Sequence, residues 1–72
     1  MIRKHSISLH GHRTSFSLED AFWQEIRTIA DHRQMPIASL IAEIDSNRRP
    51  DCNLSSALRL YVLDWLKGTL AS

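Results

Sequence analysis

The clearest pattern in the chain is the strict alternation of residues 12–18. In an extended strand, one face of this stretch would be apolar and the other would carry hydrogen-bonding side chains. The apolar face holds Thr14, Phe16 and Leu18, and the polar face holds Arg13, Ser15 and Ser17. A single strand is not stable alone, because its backbone groups need a partner. Since the pattern after this strand predicts only helices, we predict that the partner strand comes from a second copy of the chain.

Residues 6–9 alternate as well, but in the opposite phase. Ile7 and Leu9 are odd-numbered, whereas Phe16 and Leu18 are even-numbered. A slip of one residue would move an apolar set to the wrong face. Gly11 lies where the phase changes, and glycine suits a bulge or a tight turn because it adopts positive φ at little cost. The pattern is compatible with either a bent long strand or a small hairpin.

Three helices follow, predicted at about 19–33, 36–46 and 54–67. Glu19 and Asp20 favour the positive end of the first helix, which we expect Ser17 or Leu18 to cap. Its apolar stripe is Phe22, Ile26, Ile29 and Ala30, with Trp23 beside it, and the stripe of the second helix is Ile37, Leu40, Ile41 and Ile44. The third should be capped by Asn53 and stopped by Gly68. Its apolar residues form two flanks: Leu54, Leu58, Tyr61, Val62 and Trp65 on one, and Leu60, Leu63 and Leu66 on the other.

Length and composition limit the chain to one small domain. It has 72 residues, of which 43% are apolar, and a chain this short buries only about 60% of the surface that its unfolded form exposes. Association of two copies would cover the excess apolar surface. With one cysteine, Cys52, no run of 18 apolar residues and no apolar signal segment, we expect a soluble cytoplasmic protein that neither spans nor enters a membrane.

The net charge is only +1, but the positive charge is concentrated near the N-terminus. Residues 1–18 contain Arg3, Lys4 and Arg13 and no acid, whereas residues 19–72 contain six Lys or Arg and eight Asp or Glu. A concentrated basic patch is typical of a polyanion partner. The alternative is a solvated, partly frayed tail.

One strand, a tight link and two helices resemble the ribbon–helix–helix repressors of the Arc/MetJ type. The resemblance covers Gly11 to Ala42 and is carried by the stretch 13–20, then Phe22 and Ile26, then Met35 and residues 39–41. It implies a mainly α fold with one short β-strand at about 12–18, in an intertwined homodimer whose two strands form an intersubunit antiparallel ribbon. The third helix extends beyond the minimal family fold.

The resemblance further implies that the ribbon enters the DNA major groove of a double-stranded operator, as in a bacterial repressor. Its three base-reading positions match Arg13, Ser15 and Ser17. For phosphate contacts we predict the basic side chains near the strand and the free amides at the start of the second helix. These are Arg3, Lys4, His5 and His12, and Ile37, Ala38 and Ser39. Two features depart from the family: Pro36 stands where a polar cap is common, and Ser15 and Ser17 are short for readers.

Other interpretations of the same residues are weaker. Ser15 and Ser17 would otherwise form a solvated strand face, and Arg13 could pair with Glu19. His5, His10 and His12 could bind a transition metal, but no thiolate or fourth ligand accompanies them. We predict no cofactor and no enzyme, because the chain has no paired carboxylates, Gly-rich phosphate loop or triad spacing. The second functional hypothesis is a protein-interaction module, in which the third helix binds a partner as an antitoxin binds its toxin.

Overall fold

The computed structural model describes residues 1–71, with side chains as far as Gly68. Two strands come first and three helices follow. The strands are β1, Ile2–Leu9, and β2, His12–Glu19. The helices are α1, Asp20–His32, α2, Ile37–Asn47, and α3, Leu54–Ala71.

The two strands form an antiparallel hairpin within one chain. Leu9 lies opposite His12 and Ile2 opposite Glu19, so all eight residues of each strand are paired. His10 and Gly11 form the two-residue turn with φ of 53° and 83°, and positive φ at both positions defines the type I′ turn that matches the twist of a hairpin. Of the two alternatives near Gly11, a bent long strand and a small hairpin, the structure has the hairpin.

This hairpin corrects two predictions. The chain has two strands rather than one short strand, and β2 has its partner in the same chain. The prediction that β2 depends on a second copy for its first pairing is therefore wrong. The reversal at His10–Gly11 also explains the change of phase, because cross-strand neighbours share a face and the register pairs Ile7 with Thr14.

The helices lie within four residues of their predicted bounds, and α3 begins at the predicted residue, Leu54. Asn53 caps α3 as predicted, since its Oδ1 accepts the Ser56 N–H at 2.8 Å. The first helix begins one residue later than expected, with Glu19 rather than Ser17 or Leu18 at its N-cap. The prediction that Gly68 ends α3 is wrong, because the helix continues to Ala71.

The core lies between the inner face of the hairpin and the three helices. Leu18, Ile26, Leu40 and Leu58 are completely buried, and they come from β2, α1, α2 and α3 in turn. With Leu9 of β1, every element contributes a side chain to one shared cluster, which fixes the sheet on the helices and leaves its other face free.

Only one of the two predicted flanks of α3 is buried. Leu60, Leu63 and Leu66 on the second flank are 56%, 49% and 39% exposed. Despite this apolar character, none of the helices within residues 1–71 is long and apolar enough to cross a membrane.

Candidate functional site

The outer face of the hairpin is a polar surface made by alternate residues of both strands. The β2 row is Arg13, Ser15 and Ser17, and the β1 row facing it is Ser8, Ser6 and Lys4. All six side chains are exposed. The Oγ atoms of Ser6 and Ser15 are 3.1 Å apart and share a hydrogen bond across the strands. The three residues predicted to read bases therefore lie together on one solvent-facing surface.

Arg13 is available for an external ligand. Glu19, the alternative partner of Arg13 in the sequence analysis, instead accepts a hydrogen bond from the Arg59 Nε at 2.8 Å. None of the ion pairs in the described part of the chain involves Arg13. The cationic side chains of the two rows are Arg13 and Lys4. The next residues in the same phase are the exposed Ile2 and Glu19, whose carboxylate is held by Arg59.

The edge of β2 that faces away from β1 is partly open. The Ser17 carbonyl accepts a hydrogen bond from the Ser55 Oγ of α3 at 2.6 Å, so it points away from β1. Alternate residues of an antiparallel strand direct their backbone groups to the same side. The backbone groups of Arg13 and Ser15 therefore also face outward, beyond the point that α3 covers.

The acids next to the hairpin are neutralised by arginines. Arg3 Nε donates to the Asp20 Oδ1 at 2.9 Å, and Arg59 holds Glu19, lowering the pKa of that carboxyl below its ordinary value. Because these two carboxylates are paired, a polyanion beside the outer face would meet less repulsion.

The residues predicted to contact phosphate do not all lie on this face. Lys4 does, but Arg3 lies opposite Leu18 at the end of the sheet, on the side that faces the core. His12 is exposed beside the turn.

The start of α2 is remote from the turn of the hairpin. The His10 Nε2 lies 3.1 Å from the Ser46 Oγ, near the end of α2, so the amides of Ile37 and Ala38 are about 12 Å away along the helix. The Ser39 N–H is already engaged, because it donates to the Pro36 carbonyl at 3.0 Å.

His5 and His10 lie in different parts of the molecule. His5 stacks on Trp23 under the sheet, with ring centroids 3.9 Å apart, whereas His10 lies in the turn and contacts Ser46. Across the described residues, no group of three or more His, Cys, Asp or Glu side chains is placed to hold a metal ion.

A second polar cluster joins the three helices at Arg33. Its guanidinium donates to both Glu43 carboxylate oxygens, at 2.7 and 3.1 Å, and to the Tyr61 hydroxyl at 3.0 Å. The bonds from Arg33 lower the pKa of Glu43, and those to Glu43 and Tyr61 raise the pKa of Arg33. The cluster ties α1, α2 and α3 together and lies outside the outer face of the sheet.

The lowered pKa values predict a loss of stability in acid. A carboxylate whose pKa is lower in the folded state stabilises the fold above its ordinary pKa, here 4.5, and this stabilisation is lost as the pH falls through the folded value. We therefore expect the free energy of unfolding of the wild type to fall below about pH 4.5. In Glu43→Gln it should be lower at neutral pH and fall less steeply in acid.

Urea unfolding midpoints from pH 7 to pH 3 would measure this effect. Glu25→Gln is the matched control, because this α1 glutamate is in none of the ion pairs within the described residues. Equal pH dependence in the wild type and Glu43→Gln would contradict the assignment.

Sequence reasoning missed the outer row of β1 and the contacts of α3. The alternation of residues 6–9 signalled the strand, but not its register against β2. Ser55 and Arg59 contact residues 38 and 40 positions earlier, and no local pattern in the sequence indicates such pairs.

The comparisons with known proteins return one family. A sequence model of the ribbon–helix–helix domain matches residues 2–66, which includes both strands, α1, α2 and most of α3. No curated protein and no solved structure matches the chain.

Proposed function

Because the chain belongs to the ribbon–helix–helix family, whose domains generally bind DNA as dimers and regulate transcription, we propose that it is a sequence-specific DNA-binding regulator. Its reading surface is the outer row of β2, inserted into the major groove. The observation that carries this proposal is the exposed, unpaired Arg13 in line with Ser15 and Ser17. Ribbon–helix–helix domains are typically not enzymes.

Arg13 is the strongest candidate reader. A guanidinium can donate two parallel bonds to O6 and N7 of guanine, and such a pair is worth about 1–3 kcal/mol of discrimination. The hydroxyls of Ser15 and Ser17 both donate and accept, so they distinguish bases weakly. We therefore expect a guanine under each Arg13 and looser sequence requirements under the serines.

The homodimer would form through the outer edge of β2. The edge groups of Arg13, Ser15 and Ser17 alternate with those that bind β1, so two copies can pair antiparallel about Ser15. Residue 13 would then lie opposite residue 17 of the second copy. The Ser17 carbonyl has two lone pairs and can accept a strand N–H while keeping its bond to Ser55.

A two-fold dimer of this kind would present six readers in its two β2 strands. A ribbon of two strands fits the major groove, which is about 12 Å wide. The operator should therefore contain short related half-sites, each placing a guanine near one Arg13. The other predicted contacts are with phosphates, from His12 and the amides of Ile37 and Ala38.

Titration of isotope-labelled protein with duplex DNA tests the proposal. Amide shifts should concentrate at Arg13, Ser15 and Ser17, and fluorescence anisotropy should show affinity that falls steeply as salt rises. Exposed residues near the end of α3, such as Leu63 and Lys67, should move little. An absence of shifts on β2 with any duplex at low salt would refute the proposal.

A second function is favoured by the exposed leucines of α3. Leu60, Leu63 and Leu66 form an apolar flank that the rest of the chain does not cover, which suits docking of a protein partner. Arg13→Ala separates the two functions, because it should weaken DNA binding and leave binding through α3 unchanged.

A further inference from the structure

We propose that β1 supplies a second row of DNA contacts, formed by Lys4, Ser6 and Ser8 and called here the rim row, which binds the phosphates at both edges of the major groove. This inference rests on the proposed function, since it takes DNA as the ligand and β2 as the central ribbon. The rim row is a surface that a single ribbon strand does not have, and we assign it to the phosphates of the DNA rather than to the bases.

The rim row lies on the same surface as the readers. Cross-strand pairing places Lys4 opposite Ser17, Ser6 opposite Ser15 and Ser8 opposite Arg13, and directly opposed residues of an antiparallel pair project to the same face. All three rim side chains are exposed. A ligand that covers the β2 row must therefore also pass over or beside β1.

The spacing of the strands determines which part of the DNA the rim row contacts. Neighbouring strands are about 4.8 Å apart, so in the proposed dimer β2 lies about 2.4 Å from the two-fold axis and β1 about 7 Å from it. The major groove is about 12 Å wide, and its edges are therefore about 6 Å from its centre. The β2 strands fit inside the groove, and the β1 strands lie over its edges, where the phosphates are.

The chemistry of the rim row matches this position. Lys4 is a flexible cation, which binds phosphate as a point charge, and serine hydroxyls donate to phosphate oxygens. Long planar or amide side chains, which suit base readout, are absent from the row. The hydrogen bond between the Ser6 and Ser15 hydroxyls joins the rim row to the readers, so docking of one positions the other.

Matched charge changes in the full-length chain test the inference, with a random-sequence duplex as the probe. Lys4→Gln should reduce the slope of log affinity against log salt by about 1.8, because a dimer loses two phosphate contacts of about 0.9 each. The loss of affinity between 50 and 200 mM salt should then be about 12-fold smaller than for the wild type. Lys67→Gln removes an equal charge from exposed α3 and should leave the slope nearly unchanged.

A gain of charge gives an independent measurement. Ser6→Lys should steepen the slope by about the same amount, whereas Leu63→Lys, on an exposed site of α3, should not. If both members of each pair behave alike while Arg13→Ala still weakens binding, the rim row is wrong and the proposed function stands. If the wild type shows no salt-dependent binding, both fail.

Discussion

Replacing Arg13 with alanine is expected to cause the largest loss of function of any single substitution on the outer face. Each bidentate arginine–guanine contact contributes about 1–3 kcal/mol, so the two copies in a dimer contribute about 2–6 kcal/mol. This corresponds to an affinity about 30-fold to 20,000-fold weaker for a duplex that the wild type has selected from a random library. Because Arg13 is exposed and in no ion pair, the folded domain should be unaffected.

Lys67→Ala is the matched control for this loss. It removes an equal charge from an exposed site on α3 and leaves the outer face intact. Fluorescence anisotropy at one fixed salt concentration would compare the three proteins, and circular dichroism would verify their folding. Equal affinities for Arg13→Ala and the wild type would remove Arg13 from the reading surface.

Replacing Leu18 with alanine is expected to remove a large part of the protein's stability. Leu18 is completely buried where β2 meets the helices, and a leucine-to-alanine change in a core costs about 2–5 kcal/mol. A chain of this length has a total stability of only about 4–11 kcal/mol. The thermal midpoint should therefore fall by about 8 °C or more.

The same change at the exposed Leu60 tests whether the loss of stability depends on burial of the leucine. Leu60 is 56% exposed, so in a chain with nothing docked on α3 its replacement should change the stability by about 0.5 kcal/mol or less. Urea unfolding of Leu18→Ala, Leu60→Ala and the wild type would measure both effects. A large loss at Leu60 would contradict the expectation, and would mean that a second molecule covers this flank.

The elements with strong periodicity were predictable, because periodicity reports which face is buried. Phe16 and Leu18 are buried and Ser15 and Ser17 are exposed, as the alternation of β2 requires. The Asn53 cap follows from a local hydrogen bond, which short-range sequence also encodes. The prediction that Gly68 ends α3 failed because glycine disfavours a helix interior by only about 1 kcal/mol.

The site was only half predictable, for a geometric reason. Alternation assigned the Arg13 side of β2 to solvent, but pairing with β1 depends on the conformation of His10, a residue with positive φ that is not a glycine. Histidine is less usual than asparagine at this place in a two-residue turn, so the turn signal was weak. Its contact with Ser46 joins positions 36 residues apart, which no local pattern contains.

The two-residue turn at His10–Gly11 also sets an order of events. Its two strands are contiguous in the chain, and a hairpin of this kind forms in about 1–10 μs. Two chains at micromolar concentration meet productively only after about 0.1–10 s. A newly made chain therefore forms its sheet long before it meets a second chain. Until then, the free edge at Arg13 and Ser15 is open to water. A positive charge on a short edge deters indiscriminate strand addition, so we expect the guanidinium that we assign to operator recognition also to discourage unrelated strands from pairing with this edge before the proposed dimer forms.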